Sequence, residues 1–130
     1  VVLGRGAHRA WLPTILKKLS AGESVEVRNP TEPYFACTTL AAVSELVEKL
    51  ARNPPIKNGC YTAPLGCRPD INIAQLVSML SSRVKTQSEM ILRESVAPSS
   101  KVESRVAELL GYQPPTLSAC ISDWLDSEGF

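Results

Sequence analysis

The chain has 130 residues, 44% of them hydrophobic, and 14 basic against 13 acidic side chains leave a formal net charge of +1, the make-up of one globular domain with a real core. No stretch concentrates Lys and Arg enough to track phosphates, which argues against a nucleic-acid partner. The apolar runs are too short to span a bilayer and no charged, then apolar, leader precedes the first strand, so the chain reads as a soluble cytoplasmic protein with no membrane partner.

Val1 to Leu3 is a short apolar strand ended by Gly4-Arg5-Gly6. Pro13 then stands where a first helical turn tolerates it, and Leu12, Ile15, Leu16 and Leu19 recur at helical spacing up to about Ser20, with Gly22 as the stop. Glu23 to Arg28 alternates as a strand should, Asn29-Pro30 and Pro33 mark a loop, and Tyr34 to Cys37 is a short extended piece. Thr38 or Thr39 can cap a helix whose stripe is Val43, Leu46, Val47 and Leu50, with Glu45 and Lys49 paired on the wet side. Asn53-Pro54-Pro55 ends it, and Asn58-Gly59 turns into a strand over Cys60 to Pro64.

A loop from Gly66 to Asp70 leads to Asn72, a good N-cap for a helix carrying Ile73, Leu76, Val77 and Leu80. Glu89 to Arg93 can form a strand. Val102, Val106, Leu109 and Leu110 build a further helix closed by Gly111, and Leu117, Cys120, Ile121 and Trp124 share one side of a last one. The sum is an α/β chain of about five helices and five short strands in mixed order, a single domain over residues 1–130. Cys37, Cys60, Cys67 and Cys120 contain no Cys-x-x-Cys pair and His8 is the only histidine, which favours buried thiols over a zinc site or disulfides.

Gly4 and Gly6 raise the question of a dinucleotide loop, which needs a third small residue where helix packs on strand. Arg9 occupies that position, and Arg28 rather than an acid ends the second strand. Tyr34, Tyr61 and Tyr112 have no lysine four residues on, His8 has no nucleophile in a local motif, and Asp70, Asp123 and Asp126 stand in loop or helix-surface contexts. No complete active site is legible, and none of these residues is nominated as catalytic, metal-binding or cofactor-binding.

The order of elements resembles the C-terminal part of the NAD-dependent epimerase/dehydratase family, the extended short-chain dehydrogenase/reductases. The family's Val-Tyr-Gly-Pro-Gly strand and Phe-Leu-Pro helix start are similar to Val2-Leu3-Gly4-Arg5-Gly6 and Trp11-Leu12-Pro13. Its Gly-Glu-Pro bend and strand correspond to Ala21-Gly22-Glu23 and Ser24 to Val27. Thr-Arg-Asp-Phe-Val-Tyr-Val-Asp-Asp-Leu-Ala is echoed by Thr31 to Ala41, Gly-x-Val-Tyr-Asn-Leu-Gly-Ser-Gly by Asn58 to Gly66, and Asp-Thr-Ser-Lys-Ala-Lys-Glu-Leu-Leu-Gly-Trp by Val102 to Tyr112. The matches follow in order over nearly the whole chain. The departures are Glu32 in place of an arginine, Thr38 and Thr39 in place of paired aspartates, and Val102 in place of a helix-start aspartate.

The resemblance implies a fragment of a longer chain, without the N-terminal Rossmann core that carries the Gly-rich NAD or NADP loop and the Tyr-x-x-x-Lys pair. This part would close over a nucleotide-sugar and would not catalyse or bind cofactor alone; its partners would be that small molecule, the N-terminal part and, optionally, a second copy. Matched positions nominate Trp11, Leu12, Val25, Val27, Arg28, Thr62 and Arg93 for the substrate, against core packing for the apolar ones and ordinary surface charge for the arginines. A non-catalytic binding or regulatory relative of the same fold is the alternative, and a stand-alone nucleotide-binding domain using Gly4 and Gly6 is a third.

Overall fold

A computed structural model describes residues 1–4, 10–55, 62–85, 87–95 and 101–130. In chain order these form β1 (Val2–Leu3), α1 (Trp11–Ser20), β2 (Val25–Arg28), β3 (Thr38–Thr39), α2 (Leu40–Arg52), α3 (Ile73–Arg83), β4 (Met90–Arg93), α4 (Arg105–Leu109) and α5 (Leu117–Glu128). The strands make two small parallel sheets, β1 with β3 and β2 with β4. The second is in register from Val25 opposite Met90 to Arg28 opposite Arg93.

Periodicity decides what each element buries. In α1 the 3.6-residue repeat puts Leu12, Ile15, Leu16 and Leu19 on one buried stripe. Pro13 sits in the first turn, where a missing N–H removes no helical bond. The helix closes on Gly22 with Glu23 N–H reaching Lys18 O and Gly22 N–H reaching Leu19 O, both at 3.0 Å, a Schellman motif. In β2 the period of two sends Val25 and Val27 inward and Glu26 and Arg28 outward. Asn72 and Gln75 form a reciprocal capping box at the start of α3, whose Ile73, Leu76, Val77 and Leu80 are buried. These faces meet those of α5 and Leu3 in one core.

A second, smaller cluster joins Leu46, Ala107 and Tyr112. Gly111 makes it possible: at φ +95 it ends α4 in a left-handed turn that a Cβ would strain. Tyr112 N–H then reaches back to Ala107 O at 2.9 Å, and the ring swings into the interior. Its hydroxyl donates to Gly66 O at 2.7 Å and lies 2.6 Å from the Thr38 hydroxyl. Since Tyr112 has one proton, Thr38 is the donor in the second bond. Gly66 must be glycine here, because a Cβ would stand 2.7 Å from Phe35 O.

Five helices agree with the sequence pattern, but several local expectations need correction. Thr62, Ala63 and Pro64 are irregular, not strand; Pro64 offers no amide to a ladder. Cys60 and Tyr61, which open that expected strand, lie outside the described residues, as do Gly6, His8 and Arg9. The fourth helix begins at Arg105, not near Val102, because the Ser104 hydroxyl accepts from Gly66 N–H at 2.9 Å and leaves α4 without a side-chain cap. It also turns Ala107 inward and leaves Val106 and Leu109 exposed. In α2 only Leu46 of the expected stripe is fully buried and Val47 is exposed, whereas Glu45 and Lys49 do pair at 2.7 Å.

Cys37, Cys67 and Cys120 are free, buried thiols. The Cys37 thiol donates to Cys67 Sγ at 3.5 Å, and its ionisation is pushed far up, first by its hydrogen bond to Cys120, then by that to Cys67 and by burial. The Cys67 thiol is shifted the other way, lowered first by the hydrogen bond it accepts from Cys37, and all three thiols pack in the main core. No helix among the described residues is long and apolar enough to cross a membrane.

Candidate functional site

The outer face of the β2–β4 sheet is polar because the alternation that buries Val25 and Val27 leaves Glu26 and Arg28 outside. The parallel register sets Arg28 directly opposite Arg93, a like-charge pair that needs an anion between its members. Glu26 supplies it: Oε1 is 2.9 Å from Arg28 Nε and Oε2 is 3.4 Å from Arg93 Nε. The Glu26 carboxyl is held below its usual range, chiefly by the hydrogen bond from Arg28. One carboxylate occupies only part of the ten N–H donors that two guanidinium groups carry, so both arginines keep donors turned to solvent.

Beside this triad runs a groove of 530 Å³ lined by Trp11, Glu26, Arg28, Asn29, Tyr34 and Ile73. It adjoins a polar hollow lined by Glu26, Arg28, Arg93, Glu94 and Ser95. Trp11, at the start of α1, and Tyr34, in the loop before β3, form an aromatic wall with ring centroids 5.3 Å apart and planes at 43°, within the range of attractive ring contacts. Burial pushes the Tyr34 phenol up to about 12, so it stays neutral. Residue Ala10 gives α1 no side-chain cap.

Asn29 joins the two halves of the site. It sits at φ 49, a left-handed conformation that asparagine tolerates better than most residues. The resulting turn ends β2: Asn29 N–H reaches Arg93 O at 2.9 Å, and the Asn29 Oδ1 accepts from Ser95 N–H at 2.7 Å. The exit of β4 is thereby tied to the exit of β2, which fixes Arg93 beside Arg28.

Of the nominated residues, the structure brings Trp11, Arg28 and Arg93 to this groove and the hollow beside it. Leu12, Val25 and Val27 lie elsewhere: all three are fully buried in the main core and line neither hollow. Their periodicity, 3.6 in α1 and two in β2, already assigns them inward. Thr62 is exposed in a loop and lines neither hollow. Glu26, Asn29, Tyr34 and Ile73 line the groove without being nominated by the sequence. The same alternation that buries Val25 could have found Glu26, and Asn29 could be found as the Asn-Pro turn; nothing local marks Tyr34 or Ile73.

Chemically the site can hold an anion against two guanidinium groups and an apolar or aromatic ring against Trp11 and Tyr34. Among the described residues that line it, no nucleophile has a base beside it. No group of three His, Cys, Asp or Glu side chains among the described residues is placed to hold a metal ion. No known family model matches the chain, and no curated protein matches it.

Proposed function

We propose that this chain is the substrate-binding part of an NAD(P)-dependent epimerase, dehydratase or reductase acting on nucleotide-sugars, with its groove holding the nucleoside-diphosphate end of that substrate. The observation that carries this reading is the aromatic wall of Trp11 and Tyr34 beside Arg28 and Arg93, two arginines sharing one carboxylate. A diphosphate suits the planar donor forks of arginine, and a base or sugar ring suits the aromatic wall. Cofactor binding and proton or hydride transfer then belong to a separate N-terminal part, and this chain orients the substrate.

The β1–β3 sheet supports the same reading. Parallel sheets are normally covered on both faces and contain more than two strands. Here Val1 and Val2, together with Leu40 and Val47 of α2, are exposed, as expected of a part that packs on a larger sheet. A non-catalytic relative that uses the same groove is the second reading. It is favoured by Thr38, where the family places an aspartate: its hydroxyl bonds Tyr112 and is buried away from any ligand.

Calorimetric titration of the chain with UDP-glucose tests the proposal. Binding should occur and should weaken about tenfold or more in Arg28→Ala and in Arg93→Ala, the loss for a charge-assisted hydrogen bond. No heat at millimolar ligand, or binding indifferent to both substitutions, overturns it. Turnover with NAD(P) after the N-terminal part is supplied separates the catalytic from the non-catalytic reading.

A further inference from the structure

We infer that β4 is a dimerisation edge, on which a second copy of this chain pairs antiparallel about a twofold axis at Ile91. The first observation is the exposure of an apolar edge: Met90 is 38%, Ile91 37% and Leu92 56% exposed. Such edges invite another strand unless they are blunted by charge, proline or cover. Only Glu89, Arg93 and Glu94 at the two ends of this run carry charge, and they do not interrupt it.

The second observation fixes which backbone groups are available. Val25 N–H bonds Glu89 O and Asn29 N–H bonds Arg93 O, so residues 89, 91 and 93 turn their peptide groups toward β2. Met90, Leu92 and Glu94 turn theirs away, since N–H and C=O of one residue point to the same side of a strand. Among the described residues, none of these three outward N–H groups has a backbone acceptor.

Antiparallel pairing of two identical edges requires outward residues to face outward residues. The twofold axis must therefore pass through one residue rather than between two. Centring it on Ile91 sets Met90 opposite the second copy's Leu92, Ile91 opposite itself, and Glu89 opposite the second copy's Arg93. The last pairing occurs twice, and both pairs are of opposite charge. Centring on Met90 faces Arg93 with Gln87, and centring on Leu92 faces Glu89 with Ser95; both leave the charges unpaired. Charge and register agree on one alignment only, and the occupant is this chain itself. The result is a four-stranded sheet that joins Met90 and Leu92 of both copies on one face. Ile91, on the axis, lines neither hollow of the ligand site, so Ile91→Lys tests the dimer separately from ligand binding, whereas Arg93 belongs to both surfaces.

Sedimentation velocity on the 130-residue chain, over loadings from about 10 µM to about 1 mM, fits the weak association of a small interface. The wild type should shift from monomer to dimer over that range. Ile91→Lys, which sets two ammonium groups against each other on the axis, should stay monomeric. So should Leu92→Pro, which removes an outward N–H that β2 does not use. Glu89→Arg and Arg93→Glu should each weaken dimerisation about tenfold, because two attractive pairs become repulsive, and the double reversal should restore it. Circular dichroism confirms the fold of each variant, and Ile91→Lys alters no backbone group.

A wild type that stays monomeric at all loadings overturns the proposal and leaves the edge to an extended segment of another protein. A dimer untouched by Ile91→Lys also overturns it, as does a double reversal that fails to restore association.

Discussion

Replacing Tyr112 by Phe removes one oxygen atom and leaves two polar groups buried. Thr38 donates to that oxygen, and the oxygen's own proton goes to Gly66 O. Tyr112 is 3% and Thr38 2% exposed, and Gly66 is buried. The Phe ring fills the same space, so no cavity term enters. What remains is the cost of stranding a hydroxyl donor and a carbonyl acceptor, about 1 to 3 kcal/mol. For a chain of this length each kcal/mol lowers the melting temperature by about 3 to 5 °C, so the variant should melt about 3 to 15 °C lower. Urea unfolding should show a lower midpoint with an unchanged slope, since the surface exposed on unfolding is the same. Thr38→Val should cost less, because the Tyr112 hydroxyl keeps its bond to Gly66 O and loses only the one it accepts. The double variant should cost less than the sum, because the second substitution removes a partner already stranded. Wild-type stability in Tyr112→Phe, or strictly additive losses in the double variant, refutes the shared network.

Leu12→Ala should destabilise by about 2 to 5 kcal/mol, as for a leucine cut from a packed core, while the folded fraction keeps its affinity for UDP-glucose; an affinity loss in fully folded protein would put Leu12 back in the site. Tyr34 and Tyr112 both have phenol ionisation raised, first by burial, so the folded state prefers their neutral form. The stability this contributes is present below about pH 10 and is lost as pH rises toward about 12; urea midpoints should fall over that window, and less steeply in Tyr34→Phe. Glu26→Gln removes the carboxylate that competes for Arg28 and Arg93, so calorimetry should show diphosphate affinity rising several-fold; an unchanged or lower affinity would mean that neither arginine meets the ligand.

The sequence made short-range chemistry legible. The N-cap at Asn72, the left-handed Gly111 and the stripe of Leu12, Ile15, Leu16 and Leu19 each depend on residues within a turn or two, and each is present in the structure. The strand at Met90 to Arg93 was visible as a β-prone run, but its pairing with Val25 to Arg28 is a contact across more than sixty residues that no local pattern encodes. That pairing puts Arg93 next to Arg28, so the site's central feature lay beyond sequence reading although both arginines were nominated. At Val25 and Val27 position in a resemblance suggested a ligand and a period of two suggested the core, and the structure buries both. At α4, Ser104 bonds a distant amide at Gly66 and shortens the helix that apolar spacing had drawn longer.

The substrate-binding account rests on Trp11, Arg28 and Arg93 meeting one ligand, and nuclear magnetic resonance of ¹⁵N-labelled protein observes all three. The chain has two tryptophans; Trp11 lines the groove and Trp124 is buried in the core. Titration with UDP-glucose should move the Trp11 indole signal and the Arg28 and Arg93 Nε signals together, along one saturation curve, while the Trp124 indole stays in place. Unmoved Trp11 and arginine signals at millimolar ligand, or shifts confined to other surfaces, would contradict the account.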